Sequence, residues 1–373
     1  MSEPAARTVD ADASARELAS ARNVAPASGT ARSPKPQSAR VVAVDLLRLV
    51  ASFQMIQGHA IGGLTAPLAL AGPLFLPWSF ARGLTSVAFL FTAGLAFQLT
   101  TLGDLPAHLA RPDAVKKRFR RAFVLLAIGY ALHLPIGTPL AQFLIVDVLQ
   151  CIGVTLAVAE LLCVALRRAS LVVAASAALA VTCVVAAPLC AGIDATGPFG
   201  FLLNYVTRTG GSLFPLAPYA ADLFFGIVAG AIALPHGART PRRTMFSRLA
   251  MLALLLYAAH TLALRLETPR DPQLDASYAL LKLAIVVGIC ALLVLLTARV
   301  RRLPRALETL SGETLGLYVL HLLMLYPSGV GLVHVIGPVL SLPAAMAVAG
   351  VLMVTSSALV LGWRARAQRR AAH

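Results

Sequence analysis

"VAVDLLRLVASFQMIQGHA", residues 42–60, reads as the start of a membrane-spanning helix, yet it carries Asp45 and Arg48 near one end and His59 near the other. Each such group costs several kcal/mol in hydrocarbon unless it faces a cavity or a partner, so a functional role is the default reading. Arg48 and His59 stand eleven residues apart, close to three whole turns. They therefore share one face, about 16 Å apart along the axis. Ser52 and Met55 fall between them on that face. Two plainer readings compete. Arg48 can snorkel or pair with Asp45 at i−3, and His59 can be an interfacial side chain.

The rest of the chain sets the class. Of its 373 residues 58% are hydrophobic and only 13% charged. Soluble domains are less apolar and roughly twice as charged. Mean hydropathy is +0.79, which indicates a polytopic membrane protein. Apolar stretches long enough to cross a bilayer fall near 41–63, 84–102, 119–136, 143–166, 169–190, 215–234, 247–265, 277–298, 314–328 and 343–363. The expected fold is an all-α bundle of about ten transmembrane helices. The ninth stretch is short, and "AGPLFLPWSF" (71–80) suits a re-entrant or interfacial piece.

The net charge of +16 is concentrated in alternate loops: Lys116–Arg121, Arg167–Arg168, Arg239–Arg243, Arg299–Arg305 and Arg364–Arg370. Intervening loops are nearly uncharged or acidic. By the positive-inside rule both termini are cytoplasmic. No basic patch is interleaved with aromatics, so a nucleic-acid partner is not expected. Residues 1–40, rich in Ala, Ser, Pro and Arg, have no apolar signal core and read as a disordered cytoplasmic tail. Residues 41–363 form the membrane domain and 364–373 a basic cytoplasmic tail. The five cysteines are scattered through apolar segments without a paired spacing, so neither disulfides nor a metal site are expected. An Ala- and Arg-rich composition suggests a bacterial protein of the inner (plasma) membrane.

Further polar groups reach the level of His59. Asp147 opens the fourth span with Gln150 one turn on, and His133 ends the third. An Asp beside a His fixes its tautomer and raises its basicity. Tyr318 and His321, at i and i+3 in the ninth span, are either functional or helix-to-helix hydrogen-bonding groups. Glu160, deeper on the fourth span, reads as a structural pairing residue. Lys282 lies near the outer end of the eighth.

These residues carry a family resemblance. Arg40, "VVAVDLLR", and a Gly-His ending eleven residues after Arg48 resemble the opening motif of the transmembrane acyltransferase superfamily. This includes the heparan-alpha-glucosaminide N-acetyltransferase catalytic family and its bacterial relatives; the acyltransferase-3 membrane O-acyltransferases look similar at lower resolution. "SVAFLFTAGLAFQL", "KKRFRRAFVLLAIGYAL", "DVLQCIGVTLAVAELL", "FPLAPYAADLFFGIVAG" and "LSGETLGLYVLHLLML" resemble its later segments in order. Leu49 departs from the glycine usual after the motif arginine.

The resemblance implies transfer of an acyl group, acetyl in the first instance, from cytoplasmic acyl-CoA to a hydroxyl or amine of a glycan or lipid-linked sugar across the bilayer. It assigns the functional histidine to His59, and the motif Arg and Asp to Arg48 and Asp45. Acyl-CoA phosphates need fixed cations, for which Arg48 and the Lys116, Lys117, Arg118, Arg120 and Arg121 cluster are candidates, although topology alone also accounts for the cluster. His59 then acts as general base or is itself acylated, with Asp147 the candidate for orienting it. A proton-coupled transporter or flippase is the alternative reading. A homodimer is one arrangement open to such a bundle.

Overall fold

The computed structural model describes residues 41–73, 75–134, 144–195, 199–266, 274–300, 302–326 and 330–372. The expected N-terminal tail, 1–40, lies outside the described residues. Ten principal helices follow in order: α1 Val42–Leu64, α2 Phe75–Thr100, α3 Pro112–Ala131, α4 Val148–Leu166, α5 Ala169–Cys190, α6 Leu216–Ala233, α7 Arg242–Leu266, α8 Ala276–Leu296, α9 Thr314–Leu325 and α10 Leu342–Ala372. Each coincides with one expected span. No strand occurs among the described residues.

Seven of the helices are long and apolar enough to cross a membrane: α2, α4, α5, α6, α7, α8 and α10. The protein is an integral membrane protein. The other three fall short for different reasons. In α1 the residues Asp45, Arg48, Gln54, Gln57 and His59 dilute an otherwise apolar helix. In α3 the whole basic run Lys116–Arg121 lies inside the helix. That corrects the expectation of a loop there. Pro112 at the first turn and Asp113 beside it start the helix early, and Lys and Arg are good helix formers. α9 has 12 residues, or about 18 Å of helix against a hydrocarbon core of about 30 Å. The "AGPLFLPWSF" segment divides: a short 3-10 turn, Pro67–Ala71, precedes it, and α2 begins at Phe75.

The centre of the bundle is where α2 crosses α6. A methyl placed on Gly94 would run into the Leu223 carbonyl oxygen, and one on Gly226 into that of Phe91. The two backbones touch, as small residues allow between membrane helices. Around this crossing Leu90, Phe91, Leu95, Phe97, Leu223 and Ile227 are fully buried. α1 packs on α2, α9 and α10; α3 packs on α4; and α7 pairs with α8. Leu49 fills a small core with Leu310, Leu317 and Val360, so the leucine found where the resemblance led us to expect glycine is used in packing. Large apolar side chains on α5, α7 and α10, such as Val181, Leu189, Met251, Leu254, Val351 and Val354, face outward. These are the lipid-facing surfaces of a membrane bundle.

Basic residues also close helix ends. Arg248 donates to the Ile232 carbonyl near the end of α6 at 2.7 Å. Arg242 donates to the Thr297 and Val300 carbonyls just past α8. Each meets the negative end of a helix dipole and its unpaired carbonyls. Arg364 on α10 pairs with Glu313, which separates α9 from the short helix Arg305–Gly312.

Gly226→Ala should lower the thermal unfolding midpoint in detergent, with a stability loss of about 3 kcal/mol, the upper end of overpacking costs. An unchanged midpoint would contradict the backbone contact at this crossing.

Candidate active site

The basic face of α3 turns one edge inward. Arg118 and Arg121, three residues apart, join Arg48 of α1 around a cavity of about 150 Å³. Its walls are apolar: Phe89 and Phe97 of α2, Leu125 of α3, Leu149 and Ile152 of α4. Tyr318 of α9 supplies the polar far wall. The arginines are braced from behind. Arg48 donates from Nη2 to the Thr92 carbonyl at 3.3 Å. Arg118 donates to the Thr100 hydroxyl at 2.6 Å and lies over the Phe97 ring at 5.6 Å. Lys117 points away and is exposed, and Asp45 does not line the cavity. Helical periodicity explains the split: a continuous basic run on a helix can turn only part of itself toward one pocket.

One turn beyond Tyr318 on α9 is His321, fully buried. Its Nδ1 lies 2.8 Å from the Leu317 carbonyl and its Nε2 lies 2.8 Å from Nδ1 of His59. The two ring planes are within 13° of each other. A carbonyl only accepts, so His321 carries its hydrogen on Nδ1. In the neutral ring its Nε2 is then a bare acceptor, and His59 donates to it from Nδ1. The chain of bonds leaves Nε2 of His59 with a free lone pair. The ring of Tyr326 meets His59 edge-on, with centroids 6.2 Å apart.

Asp147 is differently engaged. It caps α4, accepting from the Val148 amide at 2.6 Å, and the Gln150 side chain accepts from the Asp147 amide at 3.2 Å, completing a capping box. Its other carboxylate oxygen faces Nε2 of His133 at 3.8 Å and accepts from the Tyr318 hydroxyl at 3.4 Å. His133 donates from Nδ1 to the Gly129 carbonyl at 2.8 Å. The histidine oriented beside Asp147 is thus His133, and the partner that orients His59 is His321. Gln150 sits tightly over Gly129, where a Cβ would be 2.6 Å from its Oε1. The connection between α5 and α6 secures this corner: Asn204 donates to the Leu144 carbonyl at 3.0 Å, and the Val146 amide donates to Ser212 at 3.0 Å.

The catalytic-domain pattern described as heparan-alpha-glucosaminide N-acetyltransferase matches residues 40–266. The chain belongs to this family. It is therefore a membrane transferase of the heparan-alpha-glucosaminide N-acetyltransferase type. The match covers α1 to α7, and so includes Arg48, His59 and the arginines of α3; α9, with Tyr318 and His321, lies beyond it. Among curated proteins none matches the chain.

Two buried pairs stand apart from the acetyltransferase's cavity. Glu160, read as a pairing residue, accepts from Nε2 of His108 at 2.7 Å. His108 is on the short helix Leu105–Leu109, within the loop that joins α2 to α3. Lys282 is buried with its ammonium 4.4 Å from the Tyr278 ring centroid and 5.5 Å from that of Tyr219. Asp222 supplies the acidic charge that acts on it. His108, Asp222 and Tyr326 escaped sequence reading because each is a single polar residue without a periodic companion. Asp222 alone left a signal, as a lone carboxylate in the apolar run "YAADLFF". Among the described residues no cluster of His, Cys, Asp or Glu could hold a metal ion.

Nitrogen-15 NMR of histidine-labelled protein should find neutral His59 with its hydrogen on Nδ1, and His321→Ala should release it to the other tautomer. An Nε2–H tautomer in the wild type would refute the bond order drawn here. His108→Ala should cost about 3 kcal/mol by leaving a buried carboxylate unpaired, and the double variant with Glu160→Leu should recover most of that loss. Thermal unfolding of the three proteins measures both effects.

Proposed function

We propose that the protein moves an acetyl group from cytoplasmic acyl-CoA to a hydroxyl or amine of a glycan or lipid-linked sugar at the outer face. One observation carries this reading: the arginine-lined cavity ends at Tyr318, and the next turn of the same helix holds the imidazole pair. The donor's phosphates suit Arg48, Arg118 and Arg121, which offer forked, permanently charged donors. The apolar walls suit the pantetheine arm. With its Nδ1 hydrogen committed to His321, His59 presents Nε2 to the acceptor and takes the proton as the acceptor attacks the thioester carbon. His321 shares the positive charge that then develops.

The proposed topology is ten spans with both termini in the cytoplasm, residues 41–363 as the catalytic domain and 364–373 as a basic tail. It rests on the alternation of basic loops. It places the arginine cavity at the inner leaflet and His59 near the outer one, with the protein in a bacterial inner membrane. Asp147, His133 and Gln150 form the rigid corner that sets the height of Tyr318.

Purified protein incubated with radiolabelled acetyl-CoA and a membrane glycan extract should label the glycan. His59→Ala should abolish labelling while the protein stays folded and monodisperse in detergent. Retained transfer by His59→Ala would remove the mechanism. Label on the protein itself would show His59 to be acylated before the acceptor binds. By calorimetry, Arg48→Ala combined with Arg118→Ala should weaken acetyl-CoA binding at least tenfold, and an unchanged binding constant would displace the donor site from this cavity.

A further inference from the structure

Arg82 belongs to none of the basic clusters that set topology. It lies on α2, 18 residues before Thr100, the residue that braces Arg118. That is about 27 Å along the helix. At this end its side chain is laid across α1. A Cβ on Gly58 would meet Cγ of Arg82 at 2.7 Å and Cδ at 2.8 Å, and one on Gly62 would meet Nη1 at 3.0 Å. These two glycines, one turn apart on α1, bracket His59, and their missing side chains form the groove in which the arginine rests. The guanidinium also lies over the Trp78 ring at 5.4 Å. The Trp78 indole in turn donates to Gln57 of α1 at 3.4 Å. Among the described residues no carboxylate pairs with Arg82, and its charge acts on both His59 and Tyr326.

Acyl transfer creates negative charge at a definite place. As the acceptor oxygen or nitrogen bonds to the thioester carbon, its proton passes to Nε2 of His59 and the carbonyl electron pair moves onto oxygen. Collapse of this tetrahedral species expels the CoA thiolate, which recovers the proton from His59. Such an oxyanion is stabilised by a preorganised hydrogen-bond donor or cation aimed at it. Tyr326 and His321 face the imidazole from α9 and its end, and neither carries positive charge in the hydrogen-bonded arrangement described above.

We propose that Arg82, seated in the Gly58–Gly62 groove, is a further catalytic residue that stabilises the oxyanion of the transferred acyl group. The proposal rests on the acyl-transfer reading and adds the group that reading lacks. Its test uses full-length protein in detergent. Arg82→Met should reduce kcat about a hundredfold, leave the acetyl-CoA binding constant and the unfolding midpoint unchanged, and be partly rescued in Arg82→Lys. A dithioester analogue of acetyl-CoA, with sulfur in place of the carbonyl oxygen, gives a second readout. Sulfur is the poorer acceptor, so the wild type should discriminate strongly between the two donors and Arg82→Met weakly. An unchanged kcat, or equal oxygen-to-sulfur discrimination in the two proteins, would overturn the role of Arg82. Transfer that needs His59 but not Arg82 removes this proposal alone, whereas no transfer by the wild type removes the acyl-transfer reading with it.

Discussion

Within a bilayer a polar side chain has no water to turn to, so it binds to another part of the protein or is very costly. In this protein that constraint arranges the bundle interior. His321 donates to a carbonyl of its own helix and receives His59 from another. Ser52, fully buried, folds back onto the Arg48 carbonyl at 2.9 Å. Tyr318 reaches the carboxylate that caps α4. The bonds that cross between elements, His59 to His321 and Tyr318 to Asp147, set α1, α4 and α9 against one another more narrowly than apolar packing alone would. Leu and Val side chains tolerate a small slide, whereas a buried donor at 2.8 Å does not.

The consequence is a separation of labour along one axis. Three guanidinium groups gather at the cavity, two imidazoles gather past Tyr318, and α9 joins the two places by consecutive turns. With 12 residues, α9 is the shortest of the ten principal helices and acts as a strut between these two places. The capping box at Asp147 and the α5–α6 connection, which bonds to residues 144 and 146, hold the strut's other contact in place. In the proposed reaction a large anionic donor stays at one end while only its thin arm approaches the other.

Much of this was legible in the residues and some was not. The ten helices and the polar stripe of α1 follow from hydropathy and the 3.6-residue period, both local properties. The run Lys116–Arg121 was misread as a loop because charge marks the membrane boundary without revealing whether the backbone there is helical. It is, and so Arg118 and Arg121 share the cavity while Lys117 does not. Asp147 was the candidate for orienting His59 because it reaches the same depth, but depth does not show which side chain His59 meets, and that is His321. The choice depends on which helix lies beside α1, a long-range fact. Arg82 was invisible for a related reason. Its meaning lies in two glycines on a different helix, and an absent side chain leaves no chemical trace in a sequence.

The order of hydrogen bonds from Leu317 to His59 bears on something other than acyl transfer. Paired imidazoles within a membrane are well suited to conducting protons, and an open wire through a bilayer would short-circuit the gradient across it. Here the line stops at a peptide carbonyl, which has no hydrogen to pass on and cannot hold one. A proton taken up at Nε2 of His59 can return only the way it came. The hydrogen-bond chain that begins at His59 thus ends on the backbone of α9 and does not continue across the bundle.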